Sequence, residues 1–390
     1  AQARRAALDA TVVIVNHHLL LADLALKETG FGDLLGDAEL VVVDEAHLLP
    51  DIAQEFFSVS ASTREFEFLL NDLHSEMLAS RIERDRVPAL AEFSKAVISL
   101  RRLSQEMAGR RPWRQLSGKV AAALEHTIDL AEAVVDSLGL VDPPVVGITR
   151  CRDRLSDQCR RARAVLGFDD DAAVRWFDAS PRALSIHATP LEIGAEFAKR
   201  IEQHGGQWVF TSATLAVGED FSHFLERIGL DDAETCVLPS PFDYPQQAGL
   251  YLPEGLPDPR SDEHLDALLD HVWPLIEAAG GGVFLLFTSH RALQAAAAWM
   301  QLRDAPGPVL VQGTAARTEL LERFRADGNA VLLGTGSFWQ GVDVRGDALR
   351  IVVIDKLPFA VPGDPQIEAR TEAIRRRGGN PFVEFQLPQA

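Results

Sequence analysis

Short β-branched and apolar runs recur along the chain at residues 11–15, 40–43, 208–210, 283–287, 309–311, 331–333 and 351–354. Each is long enough for one buried strand and too short for a buried helix. Segments with apolar residues at helical spacing alternate with many of them, most clearly 263–278, 291–302 and 317–325. Near-continuous apolar strands alternating with helices predict an α/β fold with helices on both faces of mostly parallel sheets. The middle of the chain breaks this rhythm. From about 63 to 163 strand signals fade and long helical periodicity takes over, as in 120–138, which predicts a mainly helical insertion within the first α/β domain. Prolines 241, 245, 253 and 257 mark a second boundary.

A length of 390 residues suits two or three domains. Hydrophobic residues make up 47% and charged residues 24%, which excludes a disordered chain, and no apolar run approaches the roughly 20 residues of a bilayer span. Cys151, Cys159 and Cys236 are too few for a disulfide framework or a four-thiolate cluster, so they read as ordinary thiols of a cytoplasmic protein. The net charge of −19 runs against a nucleic-acid partner, whose phosphates call for Lys and Arg. Arginines nevertheless cluster at 101–114 and at 150–163, the latter including Arg154 and Arg161; by themselves such runs read as solvated faces.

The sharpest local signal is LVVVDEAHLLP at 40–50, where an apolar strand ends on Asp44, Glu45, Ala46 and His47. Ligands gather outside the carboxyl ends of strands in open α/β sheets. Adjacent carboxylates there point in different directions, so Asp44 suits Mg²⁺ held through water and Glu45 suits activation of an attacking water. The structural alternative is a helix N-terminus carrying ordinary acidic residues. In QWVFTSATL at 207–215, Thr211, Ser212 and Thr214 stand at a second strand end, as a capped turn or as a hydrogen-bonding site. Thr288 and Ser289 follow the strand of GGVFLLFTSHRAL, placed to cap a helix or to hold a phosphate. In VLLGTGSFWQGVDV at 331–344, Gly334, Gly336 and Gly341 permit close backbone approach, and Phe338 and Trp339 read either as core or as a surface for stacking bases.

In this order the four signals resemble the superfamily 2 helicases, specifically the DinG/XPD branch with its YoaA-like bacterial members. NHHLLLADL at 16–24 looks like the segment that precedes the family's DEAH box, and KLPF at 356–359 with NPFVEFQLPQA at 380–390 looks like the approach to its last motif. The resemblance implies two RecA-like domains: 1–60 and 181–240 forming the first, a helical Arch at 61–180, and 241–390 forming the second. It further implies a DNA helicase that uses ATP and Mg²⁺ and moves 5′ to 3′ on single-stranded or forked DNA in repair or replication, with replication or repair proteins as partners and no membrane. On this reading the two domains clamp ATP, and His47 bonds toward Thr211, Ser212 or Thr214 to couple nucleotide to DNA. Gly341 and Asp343 sense nucleotide, while Thr288, Ser289, Ser337 and Trp339 face DNA. The Arch helps form the strand's passage, which raises Arg154 and Arg161 to DNA-binding candidates; Gln340 stays unassigned.

Two departures stand beside the match. No G-x-x-x-x-G-K-[ST] string occurs in the chain, and no cysteine precedes Cys151, although the family carries its phosphate loop and the four cysteines of a 4Fe–4S cluster ahead of the DEAH box. The family's final arginine motif would follow residue 390. The expectation is therefore a piece of a longer protein, inactive by itself. The competing readings are a helicase-fold nuclease and a non-catalytic DNA-binding or interaction module.

Overall fold

The computed structural model describes residues 2–29, 34–36, 38–168, 173–359 and 363–389. The chain divides into two compact units, one running to Val237 and joined by 363–389, the other Leu238–Phe359.

In the first unit, β1 (Leu40–Val43) and β6 (Gln207–Phe210) pair in parallel, with Val43 opposite Phe210. Val43, Ala46, Leu49, Phe197, Phe224 and Ile228 form the core beside them. The helices Gly194–His204 and Ser222–Ile228 meet so closely that a Cβ on Gly229 would lie 2.3 Å from the Gly194 carbonyl oxygen, and Gly229 adopts φ 70°. Only glycine satisfies both conditions without strain. The β-branched run at 11–15, expected as a strand, is not one: Val12 is 78% and Ile14 95% exposed, and no ladder partner lies beside them among the described residues. An apolar run without hydrogen-bonding neighbours does not make a strand.

The insertion has its own core. The helices Thr63–Ala79, Leu90–Ser104, Gly118–Gly139 and Val146–Gly167 pack around Phe66, Phe93, Ile128 and Leu155. Ser62 and Ser117 cap two of them, accepting hydrogen bonds from the backbone N–H of Glu65 and Val120. Beneath lies an antiparallel sheet in the order β2 (Val59–Ser62), β5 (Leu184–Pro190), β4 (Ala173–Ala179), β3 (Gly109–Pro112). These strands escape the sequence reading because their polarity alternates. Phe177 and Ala179 face the core, while Trp176 is half-buried and Asp178 exposed. The helix Pro365–Arg376, read from sequence as part of the second domain, packs on β3 and β4. Asp364 caps it and pairs with Arg110 at 3.0 Å, and Arg370 donates to Gln54 Oε1 at 2.9 Å.

The second unit is a four-stranded parallel sheet in the order β10 (Ile351–Ile354), β7 (Val283–Leu286), β9 (Val331–Gly334), β8 (Val309–Val311). Every residue of β7 and β9 is buried. One core lies on each face, the first around Leu285, Phe287, Ala296 and Leu333, the second around Phe284, Leu310, Phe324 and Leu332. The molecule is thus α/β, with two parallel-sheet units and a mainly helical insertion in the first.

Candidate active site

Beyond Val43 the chain turns on Glu45, which holds φ 49° and ψ 43°. A non-glycine residue in the left-handed region costs about 1–3 kcal/mol and persists only where its surroundings over-determine it. Two backbone bonds do so here: Thr211 N–H donates to the Val43 carbonyl at 2.9 Å, and Ala46 N–H to the Thr211 carbonyl at 3.0 Å. The turn sends the adjacent carboxylates to different neighbours. Asp44 Oδ1 accepts from Thr211 Oγ1 at 3.2 Å and from the Glu45 N–H at 3.0 Å, whereas Glu45 Oε2 lies 3.4 Å from His47 Nδ1.

His47 joins the two strand ends. Its Nδ1 lies 2.8 Å from Ser212 Oγ, and Ser212 Oγ in turn accepts from the Thr214 N–H at 3.2 Å. Since the Glu45 carboxylate only accepts, a proton on Nδ1 serves both the carboxylate and the hydroxyl. Nε2 is then buried without a partner among the described residues. The sequence candidates Asp44, Glu45, His47, Thr211, Ser212 and Thr214 therefore share one cluster.

His17 belongs to that cluster, though no chemical role is legible for it in the sequence. Its Nε2 donates to the Asp44 carbonyl at 2.9 Å, and its helix His17–Thr29 begins where Asn16 Oδ1 accepts from the Leu19 N–H. The available signal is the NHH triplet itself, a capping residue ahead of paired imidazoles.

In the second unit the candidate residues line the ends of β7 and β9. Ser289 caps the helix His290–Gln301, its Oγ accepting from Ala292 N–H at 3.2 Å, and Thr288 is exposed before it. Ser337 lies in the turn Gly336–Phe338 and is exposed. Phe338 is buried, and Trp339 is partly buried against the core with its indole N–H on the Phe287 carbonyl at 3.3 Å. Gly341 has φ 64°, and Arg317, which reads in the sequence as an ordinary helix residue, donates to the carbonyls of Gln340 and Gly341 at 3.1 and 2.8 Å. Asp343 pairs with Arg345 at 3.0 Å. At the end of β10, buried Asp355 faces His264 Nε2 at 3.2 Å, and burial pushes its carboxyl above the usual range.

Three arginines of the 150–163 run, two of them the DNA-binding candidates, are already ion-paired. Arg154 pairs with Asp72 at 2.6 Å, Arg161 with Glu65 at 2.9 Å and Asp157 at 3.1 Å, and Arg163 with Glu132 at 2.8 Å.

Asp44 is exposed, and a single carboxylate fits Mg²⁺, which keeps most of its waters and takes one or two protein oxygens beside phosphates. The cysteines do not fit a cluster. Cys151 and Cys159 are buried, burial pushes both thiols up, Cys159 to about 12, and no group of three metal-ligating side chains occurs among the described residues. No described helix is long and apolar enough to cross a membrane.

A helicase C-terminal domain model matches residues 272–390. Over its whole length the chain is 39% identical to the ATP-dependent DNA helicase YoaA of Escherichia coli K12, covering 62% of that protein. It is 33% identical to the ATP-dependent helicase DinG of Mycobacterium tuberculosis H37Rv, covering 59% of it. Over its whole length the chain is similar to DinG-like helicases. It spans about three fifths of the length of these DinG-like relatives. A solved structure, S. tokodaii Xpd4, aligns over 94% of the chain at 14% identity with a TM-score of 0.49.

Proposed function

We propose that the whole protein is an ATP-dependent DNA helicase that moves 5′ to 3′ on single-stranded DNA and opens forked duplexes in repair or replication. The observation that carries this reading is the cluster at the ends of β1 and β6: two divergent carboxylates on a strained turn, wired through His47 to Ser212. Asp44 holds Mg²⁺ through water, and the ion, when bound, neutralises charge on the phosphates. Glu45 orients the attacking water and accepts its proton. His47 carries the change at the nucleotide to the 211–214 segment.

In the second unit Gly341 and Asp343 sense nucleotide, and Thr288, Ser289, Ser337 and Trp339 face the strand. Arg154 and Arg161 contribute least, because a phosphate must compete with carboxylates already in place. The expected domain bounds shift with the described units: residues to about 58 with about 191–237 form the first RecA-like domain, 59–190 the Arch, on whose sheet Pro365–Arg376 packs, and 238–359 the second. The 4Fe–4S cluster that the resemblance implies is assigned to none of these cysteines. The 390 residues by themselves hydrolyse no ATP, because they hold no Walker-type loop and lysine to cradle the phosphates.

The test is DNA-stimulated ATP hydrolysis and fork unwinding by the whole protein. Unwinding that requires ATP and Mg²⁺ supports the reading. Metal-dependent cleavage of DNA without ATP would replace it with a nuclease.

A further inference from the structure

On the insertion, away from the DEAH cluster, the helix Thr63–Ala79 and the turn joining β4 to β5 enclose an open groove of about 380 Å³. Phe68 forms one wall and is 54% exposed, too open for a ring with both faces covered. Arg64 stands 5.4 Å from the centroid of that ring. Arg182 is presented from the turn tip, and Arg101 lines the groove beside them.

The turn that carries Arg182 is braced. Ser180 N–H donates to the Ala183 carbonyl at 2.8 Å, Ser180 Oγ accepts from the Arg182 N–H at 3.3 Å, and Gln105 Nε2 holds the Pro181 carbonyl at 3.2 Å. Among the groove's lining residues, three guanidiniums face one carboxylate, Glu67, which Arg101 engages at 2.7 Å. In a chain of net charge −19 this leaves a local cationic surplus around an exposed aromatic ring.

We infer that this groove is a subsite for one nucleotide of a single strand, with the base stacked on Phe68 and its backbone phosphate between Arg64 and Arg182. Stacking on an aromatic side chain beside a cationic track is how proteins hold unpaired nucleic acid without reading its sequence. The volume lies within the range of small-ligand clefts. Asn71, exposed on the same helix, offers a donor and an acceptor to the base edge. The inference rests on the proposed action on DNA and gives it a place on the insertion that the ion-paired Arg154 and Arg161 do not supply.

The experiment is fluorescence anisotropy of a labelled oligothymidylate with the full chain and with Phe68→Ala, Phe68→Trp and Arg182→Ala, titrated over a range of salt. Phe68 is exposed, so its replacement leaves the core intact, and circular dichroism checks this. Phe68→Ala weakens binding roughly fivefold or more at every salt concentration, since each stacked base contributes on the order of a factor of five upward. Phe68→Trp retains affinity, and its added emission is quenched when the oligonucleotide binds. Arg182→Ala flattens the log–log salt slope by ~0.7, the value for one phosphate on a single strand. Binding by the unaltered chain that Phe68→Ala leaves untouched overturns the subsite and leaves the helicase reading standing. No binding by the unaltered chain overturns the subsite and counts against the DNA contacts assigned to these residues as well.

Discussion

At the end of β1, side chains bond to side chains across two strands: Thr211 to Asp44, and His47 to Ser212, with Glu45 held in the left-handed region between them. At the ends of β7 and β9 the ties run mainly to the backbone, beside the side-chain pairs Thr335–Gln312 and Asp343–Arg345. Ser289 caps a helix, Arg317 grips two carbonyls of the Gly341 loop, and the Trp339 indole closes on the Phe287 carbonyl. Backbone ties fix a surface without using the chemistry of its side chains. Side-chain ties put titratable groups in series, so a change at one end is felt at the other. The first arrangement links side chains in series; the second holds a fixed platform.

That contrast orders the expected effects. Glu45→Gln in the whole protein lowers ATP hydrolysis by ~10²–10⁴-fold while nucleotide binding persists, because orienting or general-base roles contribute on that scale. Steady-state turnover beside equilibrium nucleotide binding checks it, and unchanged turnover removes Glu45 from the chemistry. On the platform side, Ser289→Ala costs about 1 kcal/mol of stability by loss of a helix cap, read as a lower denaturation midpoint, with ATP turnover far less affected than in Glu45→Gln.

The insertion offers a pH handle. Burial, and then the nearby Arg110, lower His187 from 6.5 to about 4 where it stacks on Trp176 at 3.8 Å. The unfolded chain therefore binds a proton that the folded one refuses, so stability falls as pH drops from about 6.5 towards 4. His187→Phe keeps a stacked ring and flattens that dependence; the same slope in the variant would assign it to another group. The smallest effect belongs to Arg154→Glu with Arg161→Glu, which flattens the salt dependence of single-strand binding by roughly 0.7 for each phosphate no longer neutralised. An unaltered slope would leave both arginines as intramolecular ion pairs.

The sequence shows the parallel strands plainly because strands buried on both faces must be continuously apolar, as Val283–Leu286 and Val331–Gly334 are. It hides β2 to β5, whose alternation places Arg175, Asp178 and His187 among apolar neighbours and resembles loop or helix. It also misleads at 11–15, where β-branching marks a preference that only a neighbouring strand can realise. In the site, the adjacency of Asp44, Glu45 and His47 is readable, since residues next to each other at a strand end stay together in the fold. Contacts made by a remote imidazole or guanidinium, His17 on the Asp44 carbonyl and Arg317 on the Gly341 loop, are not, because nothing local records them. The arginine cluster at 150–163 shows the same limit. Its carboxylate partners Asp72, Glu65 and Glu132 lie on other helices.

A double-mutant cycle on His47 and Ser212 in the whole protein probes the wiring between the strand ends. The quantity to follow is base pairs unwound per ATP hydrolysed, with ATP turnover measured in the same reactions. His47→Ala and Ser212→Ala each lower that ratio while sparing much of the hydrolysis, and the double variant is no worse than either single one. Additive losses, or equal loss of hydrolysis and unwinding in His47→Ala, would contradict that wiring and leave the 2.8 Å contact a structural one.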